Sequence, residues 1–191
     1  MSTRLALLAA TAAFSLAAAG ASAPLSAAQD KTVMVGGAPM YPSKNIVQNA
    51  INSKDHTTLV AAVKAAGLVD TLQGPGPFTV FAPTNAAFAK LPAGTVDTLL
   101  KPESKGMLAK ILTYHVVPGR MTAASLRKAI KQGEGTARFK TVAGEEITVK
   151  DDGTGKLWVT DAKGDTARVT IADVLQSNGV IHVVDTVLLP M

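Results

Sequence analysis

Three histidines, His56, His115 and His182, and the adjacent pair Tyr114-His115 are the first side chains of this 191-residue chain that could support acid-base or nucleophilic chemistry. Read as a strand, Tyr114-His115-Val116-Val117 turns Tyr114 and His115 to opposite faces, so they cannot pair as nucleophile and base. On that reading His115 alternates with Val117, and His182 with Val180 and Val184. A histidine on an apolar strand face is expected to be buried, neutral and hydrogen-bonded to backbone. The histidines show no H-x-H or H-E-x-x-H spacing and the chain has no cysteine, so no metal site is expected.

The remaining polar groupings are equally sparing of chemistry. Glu145 and Glu146 open a strand and diverge. Asp151-Asp152-Gly153-Thr154-Gly155 lacks the alternating ligands of a calcium loop and reads as a hairpin turn. Ser125-Leu126-Arg127-Lys128 fits S-x-x-K but has no K-T-G partner segment. No Walker loop, G-x-S-x-G or G-x-G-x-x-G occurs, so no cofactor is expected. Aromatic residues are 4% of the chain, too few for a nucleic-acid stacking platform. One surface grouping remains: Arg120, Arg127, Lys128, Lys131, Arg138 and Lys140, interrupted only by Glu134. It is a candidate polyanion patch for acidic polysaccharide or lipid headgroups, against the alternative of a solvated helix and strand edge.

These residues must be carried by a fold that stands on its core, since no disulfide is available. Residues 1–28 read as a secretory signal: Arg4, then an Ala- and Leu-rich run from Leu5 to Ala19, then small residues ending in Ser26-Ala27-Ala28. The run is too short and too Ala-rich for a membrane span, so no transmembrane anchor is expected after cleavage. Residues 29–43, with Gly36, Gly37, Pro39 and Pro42, read as a flexible leader, and residues 44–191 as one domain. The chain's charge of +5 suits solubility as well as polyanion binding.

Within the domain, helical periodicity runs through Ile46–Ile51, Leu59–Leu68, Val96–Leu100 and Met107–Leu112, with a further helix at 123–131. A short strand, Phe78–Ala82, interrupts this half and leads through Pro83 to Thr84 at a helix N-cap position. The period then changes to two, giving strands near 137–142, 146–150, 156–160, 168–174 and 180–187. Helices first and strands later, with one early strand that must pair with the late ones, is an α+β order.

Three segments in order, Phe78-Thr79-Val80-Phe81-Ala82-Pro83-Thr84-Asn85-Ala86-Ala87-Phe88, Leu112-Thr113-Tyr114-His115-Val116-Val117-Pro118-Gly119 and Asn178-Gly179-Val180-Ile181-His182-Val183-Val184-Asp185, resemble the fasciclin (FAS1) domain. The resemblance extends from about Asn45 to Pro190. It implies a β-sandwich or wedge of two small sheets with a cluster of helices at one side. It also implies a secreted or surface location and a role in adhesion or matrix interaction instead of catalysis. Tyr114 and His115 match the segment linked to integrin binding in some animal members, which makes them the candidate binding residues. The expectation is therefore an exported, non-enzymatic binding module, periplasmic or extracellular, whose partner is a cell-surface or matrix protein or an acidic polysaccharide. A polyanion-binding surface protein and a glycan-directed enzyme or ligand carrier are the alternatives.

Overall fold

The structure, a computed structural model, describes residues 32–191, so the signal segment 1–28 lies outside the described residues. Two strands, β1 (Val33–Val35) and β2 (Ala38–Met40), form an antiparallel hairpin. Helices α1 (Ile46–Ala50), α2 (Thr57–Ala66) and α3 (Val69–Gln73) follow, with a 3₁₀ turn at Lys54–His56. Strand β3 (Phe78–Pro83) leads to α4 (Asn85–Ala89), α5 (Thr95–Leu99) and α6 (Lys105–Tyr114). After β4 (Val116–Pro118) and α7 (Ala123–Gln132) come β5 (Thr136–Lys140), β6 (Glu146–Asp151), β7 (Leu157–Thr160), β8 (Thr166–Gln176) and β9 (Gly179–Val184).

The α+β order holds, but the strands from β3 onward join one seven-stranded sheet, ordered β4-β3-β9-β8-β7-β6-β5, instead of two small sheets. The sheet curls until its two edges meet: the Val142 amide, just past β5, donates to the Val116 carbonyl of β4 at 2.8 Å. Closing the edges this way removes unpaired backbone groups that would otherwise face solvent or a second chain.

The early strand pairs with the late ones as its isolation in the sequence requires. β3 lies parallel to β9 over its whole length, from Phe78 opposite Gly179 to Pro83 opposite Val184. Gly179 is required there, because a Cβ at that position would run into the Phe78 carbonyl. All of β9 is buried, and so is β3 after Phe78. One face, with Val80, Ala82, Ile181 and Val183, packs against the helices; the other, with Phe81 and Val184, faces the inside of the curled sheet. Burial on both faces explains why both strands read as nearly continuous apolar runs, interrupted only by Thr79 and His182. Each such side chain taken out of water contributes about 1.5–3 kcal/mol.

Two expected boundaries shift. Residues 33–40 are not a flexible leader: Val35 and Met40 are buried against Ile46, Leu59 and Val80 in the helical core. Gly36 and Gly37, which read as linker residues, are the two central residues of a hairpin turn, with φ of 59° and 75°. A Cβ on Gly36 would stand 2.5 Å from Ser53 Oγ, so the turn is seated on the 3₁₀ segment as well. The second shift is at Tyr114, which ends helix α6, with His115 as its C-cap; the strand begins only at Val116.

Candidate functional site

Because Tyr114 and His115 close a helix, their separation is not a matter of strand alternation. The last turn of α6 sends each into a different part of the interior. Tyr114 is fully buried; its hydroxyl donates to the Glu146 carbonyl at 3.0 Å and accepts from the Ala162 amide at 2.8 Å. It thereby ties α6 to β6 and to the turn between β7 and β8. Burial pushes the phenol pKa up, and the Ala162 N–H pulls it part of the way back.

His115 is also buried and does the corresponding work toward the C-terminus. The Leu188 amide donates to Nε2 at 3.0 Å, so Nδ1 carries the proton and donates to the Ile111 carbonyl at 2.8 Å. Burial lowers its pKa to about 4, against the opposing pull of the Ile111 carbonyl and of Asp161. Both candidate binding side chains are therefore engaged inside the domain and neither reaches the surface. Tyr114→Phe should cost about 1–2 kcal/mol, the net worth of a two-bond buried hydroxyl. A fall of several degrees in the CD melting temperature with unchanged spectra is the expected result.

His182 is buried on β9, stacked on Phe81 with ring centroids 5.6 Å apart. Its Nε2 donates to the Met121 carbonyl at 2.7 Å, and the Asp173 amide approaches Nδ1 at 3.4 Å. Burial lowers its pKa, opposed by the Met121 carbonyl and Asp173. Asp173 sits where the register between β8 and β9 slips, at φ 58°, and its carboxylate accepts from the Ala123 amide at the start of α7 at 2.6 Å. The kink in β8 and the placement of α7 are thus a single construction.

His56 pairs with Ser53, Oγ to Nδ1 2.8 Å, while Nε2 makes no hydrogen bond of good geometry. Burial lowers the His56 pKa; the nearby Ala82 backbone and Asp55 hold it up in part. Both residues line a cavity of about 50 Å³ between the hairpin, α1, α2 and β3, whose other walls are chiefly aliphatic, such as Met40, Ile46, Leu59 and Ile181. No carboxylate among the described residues lines it. Among the described residues no group of three His, Asp or Glu could hold a metal ion.

The basic cluster does not form one patch. The Arg120 Nη2 group donates to the Gln176 and Ser177 carbonyls at 3.1 and 3.2 Å. Arg127 pairs with Asp151 at 3.3 Å and donates to the Gly155 carbonyl. Lys128 and Lys131 are exposed on α7, whose buried face, Ala123, Leu126 and Ile130, packs on the inside of the curled sheet. Arg138 and Lys140 lie on the outside of that sheet. Trp158 is half-buried on the same outer face, its Nε1 3.4 Å from Asp152 Oδ2.

Two polar residues have larger structural roles than their type or spacing conveys. Asn178 accepts from the Ile46 amide and donates to the Leu72 and Gly74 carbonyls, at 3.1, 2.8 and 2.9 Å. Asp161 accepts from the Lys163 and Asp165 amides and, with its other oxygen, from Leu189. The turn pattern Asp161-Ala162-Lys163-Gly164 signals the local half of that role, and nothing in sequence signals the distant half.

Among the described residues no helix is long and apolar enough to cross a membrane. Protein sll1483 of Synechocystis sp. is 52% identical over 163 residues, covering 84% of this chain and 82% of that protein. Immunogenic protein MPT70 of Mycobacterium tuberculosis is 38% identical over 146 residues, 74% of this chain and 66% of that one. Cell surface glycolipoprotein MPB83 of Mycobacterium bovis is 38% identical over 149 residues, 74% and 58% of the two chains. Among solved structures, a FAS1 domain pair from the insect cell adhesion molecule fasciclin I superposes with a TM-score of 0.68 over 78% of this chain and 52% of that one. At 22% identity, that likeness is one of fold. The family model of the fasciclin domain matches residues 54–190, and on that span, with these relatives, the chain belongs to the fasciclin domain family.

Proposed function

We propose that this protein is an exported, non-enzymatic binding module that acts at the cell envelope or in the extracellular matrix through contacts of its outer surface. The observation that carries this reading is where Tyr114 and His115 spend their polar atoms. All of them are matched by Glu146, Ala162, Ile111 and Leu188 inside the domain, which leaves the motif as a clamp and the surface as the place for partners. A relative described as a cell surface glycolipoprotein supports the envelope location, and the signal pattern of residues 1–28 supports export.

The test is co-sedimentation of the purified mature protein with isolated cell envelopes of its source organism. Saturable binding that excess unlabelled protein competes away is expected. A protein that stays in the supernatant at all envelope concentrations would contradict the proposal.

A further inference from the structure

The register of the curled sheet assembles a surface that the order of residues along the chain conceals. On its outer face Lys150, Trp158 and Arg168 stand side by side on β6, β7 and β8. The next row is Arg138, Thr148, Thr160 and Thr166, and beyond it Lys140 stands opposite Glu146. Outward residues remain exposed or half-exposed along these strands while their inward neighbours are buried, Phe139 only in part, so among the described residues no other element covers this face.

Strands lie about 4.8 Å apart, which sets the backbone positions of Lys150 and Arg168 about 10 Å from each other with the indole between them. Arg138, Lys140 and Lys150 form no ion pair among the described residues, and Arg168 has only a 3.8 Å contact with Asp185. Of the acids on this face and its border, Glu146 is exposed and forms no ion pair among the described residues, while two others are engaged. Asp152 accepts from the Thr154 hydroxyl and amide, and Asp185 also approaches Lys90. A large aromatic ring flanked by cations matches a polymer offering a flat C–H face and regularly spaced negative groups.

We propose that this outer face binds an acidic polysaccharide, with Trp158 stacked on a sugar ring and Lys150 and Arg168 holding carboxylate or sulfate groups on either side. This rests on the reading of the protein as an envelope or matrix module and names its partner chemistry. It also replaces the cluster on α7 as the polyanion surface.

Trp158 is the chain's sole tryptophan, so its fluorescence reports on the site directly. Titration with polygalacturonate or dextran sulfate should shift that emission, with binding weakened by added salt, while neutral dextran leaves it unchanged. The double variant Lys150→Glu/Arg168→Glu should lose about tenfold or more in affinity, and Lys128→Glu/Lys131→Glu on α7 should stay within about twofold of wild type. Trp158→Ala should bind weakly in a sedimentation assay, with Trp158→Phe retaining part of the affinity; CD melting verifies the fold of each. Absent acidic-polymer binding, equal loss in the α7 control, or binding confined to phosphatidylglycerol vesicles would overturn the proposal. Envelope binding that persists while both acidic polymers are ignored would overturn this inference and leave the module reading standing.

Discussion

Acidification from pH 7 to pH 4.5 should remove a large part of the folding free energy. All three histidines have pKa values lowered by burial in the folded state, His115 to about 4. Above an unfolded pKa of about 6.5, neither state binds these protons and stability is at its full value. Below it the unfolded chain takes up protons that the folded chain refuses, so each histidine costs about 1.4 kcal/mol per pH unit until its folded pKa is reached. For His115 the loss accumulates to roughly 3 kcal/mol between pH 6.5 and 4. That is substantial against a domain stability of about 5–15 kcal/mol. Asp152, held at about 2 chiefly by the Thr154 hydroxyl, titrates below this window.

Urea midpoints measured from pH 7.5 to 4.5 should therefore stay level to about 6.5 and then fall steeply. His115→Ala should lose about 2–4 kcal/mol at pH 7, from the cavity and the unpaired Ile111 and Leu188 groups, and should flatten the slope by one proton. A midpoint unchanged between pH 7 and 5 would contradict the burial of neutral histidines.

Asn178→Ala should be similarly severe, at about 3–5 kcal/mol. It leaves three backbone groups without partners in the interior: the Ile46 amide and the Leu72 and Gly74 carbonyls. These belong to the start of α1 and the end of α3, while Asn178 itself precedes β9 and its carbonyl accepts from Phe78 at the start of β3. One side chain thus joins the helical layer to the parallel strand pair. Asn178→Asp should do no better than alanine, since it keeps an acceptor for Ile46 but turns an oxygen toward two carbonyls. Chemical denaturation monitored by CD measures both variants, and a loss below about 1 kcal/mol would show the bonds to be replaceable by water.

The legible parts of this fold are those where local pattern and tertiary environment agree. Thr84 caps α4 as its position before Asn85-Ala86-Ala87-Phe88 implies, its hydroxyl accepting from Ala87. The turn at Asp152-Gly153 joins β6 to β7, and the apolar Phe78–Ala82 segment finds its distant partner in β9. Composition misleads at the hairpin of β1 and β2, because Gly36-Gly37 serves a tight turn as readily as a linker. It misleads again at Tyr114, where a β-rich run of residues finishes a helix because Leu108, Ile111 and Leu112 continue its buried stripe.

The site was legible in its residues and not in their arrangement. Burial of His115 and His182 could be read from their apolar neighbours, whereas the atoms they bond, at Leu188 and Met121, lie 73 and 61 residues away. The basic cluster looked continuous because proximity along the chain hides the turn between α7 and β5 that sends Lys131 and Arg138 to different surfaces. Lys150 and Arg168 show the converse, since only strand register brings them beside Trp158.

The claim that Tyr114 and His115 are a structural clamp, with binding left to the outer surface, is tested most directly by envelope co-sedimentation of Tyr114→Phe beside wild type. The measurement is made at a temperature where CD shows both folded. The expected result is a lower melting temperature for Tyr114→Phe with envelope affinity within about twofold of wild type. A folded Tyr114→Phe protein that no longer binds envelopes would contradict the clamp and return the motif to the binding site.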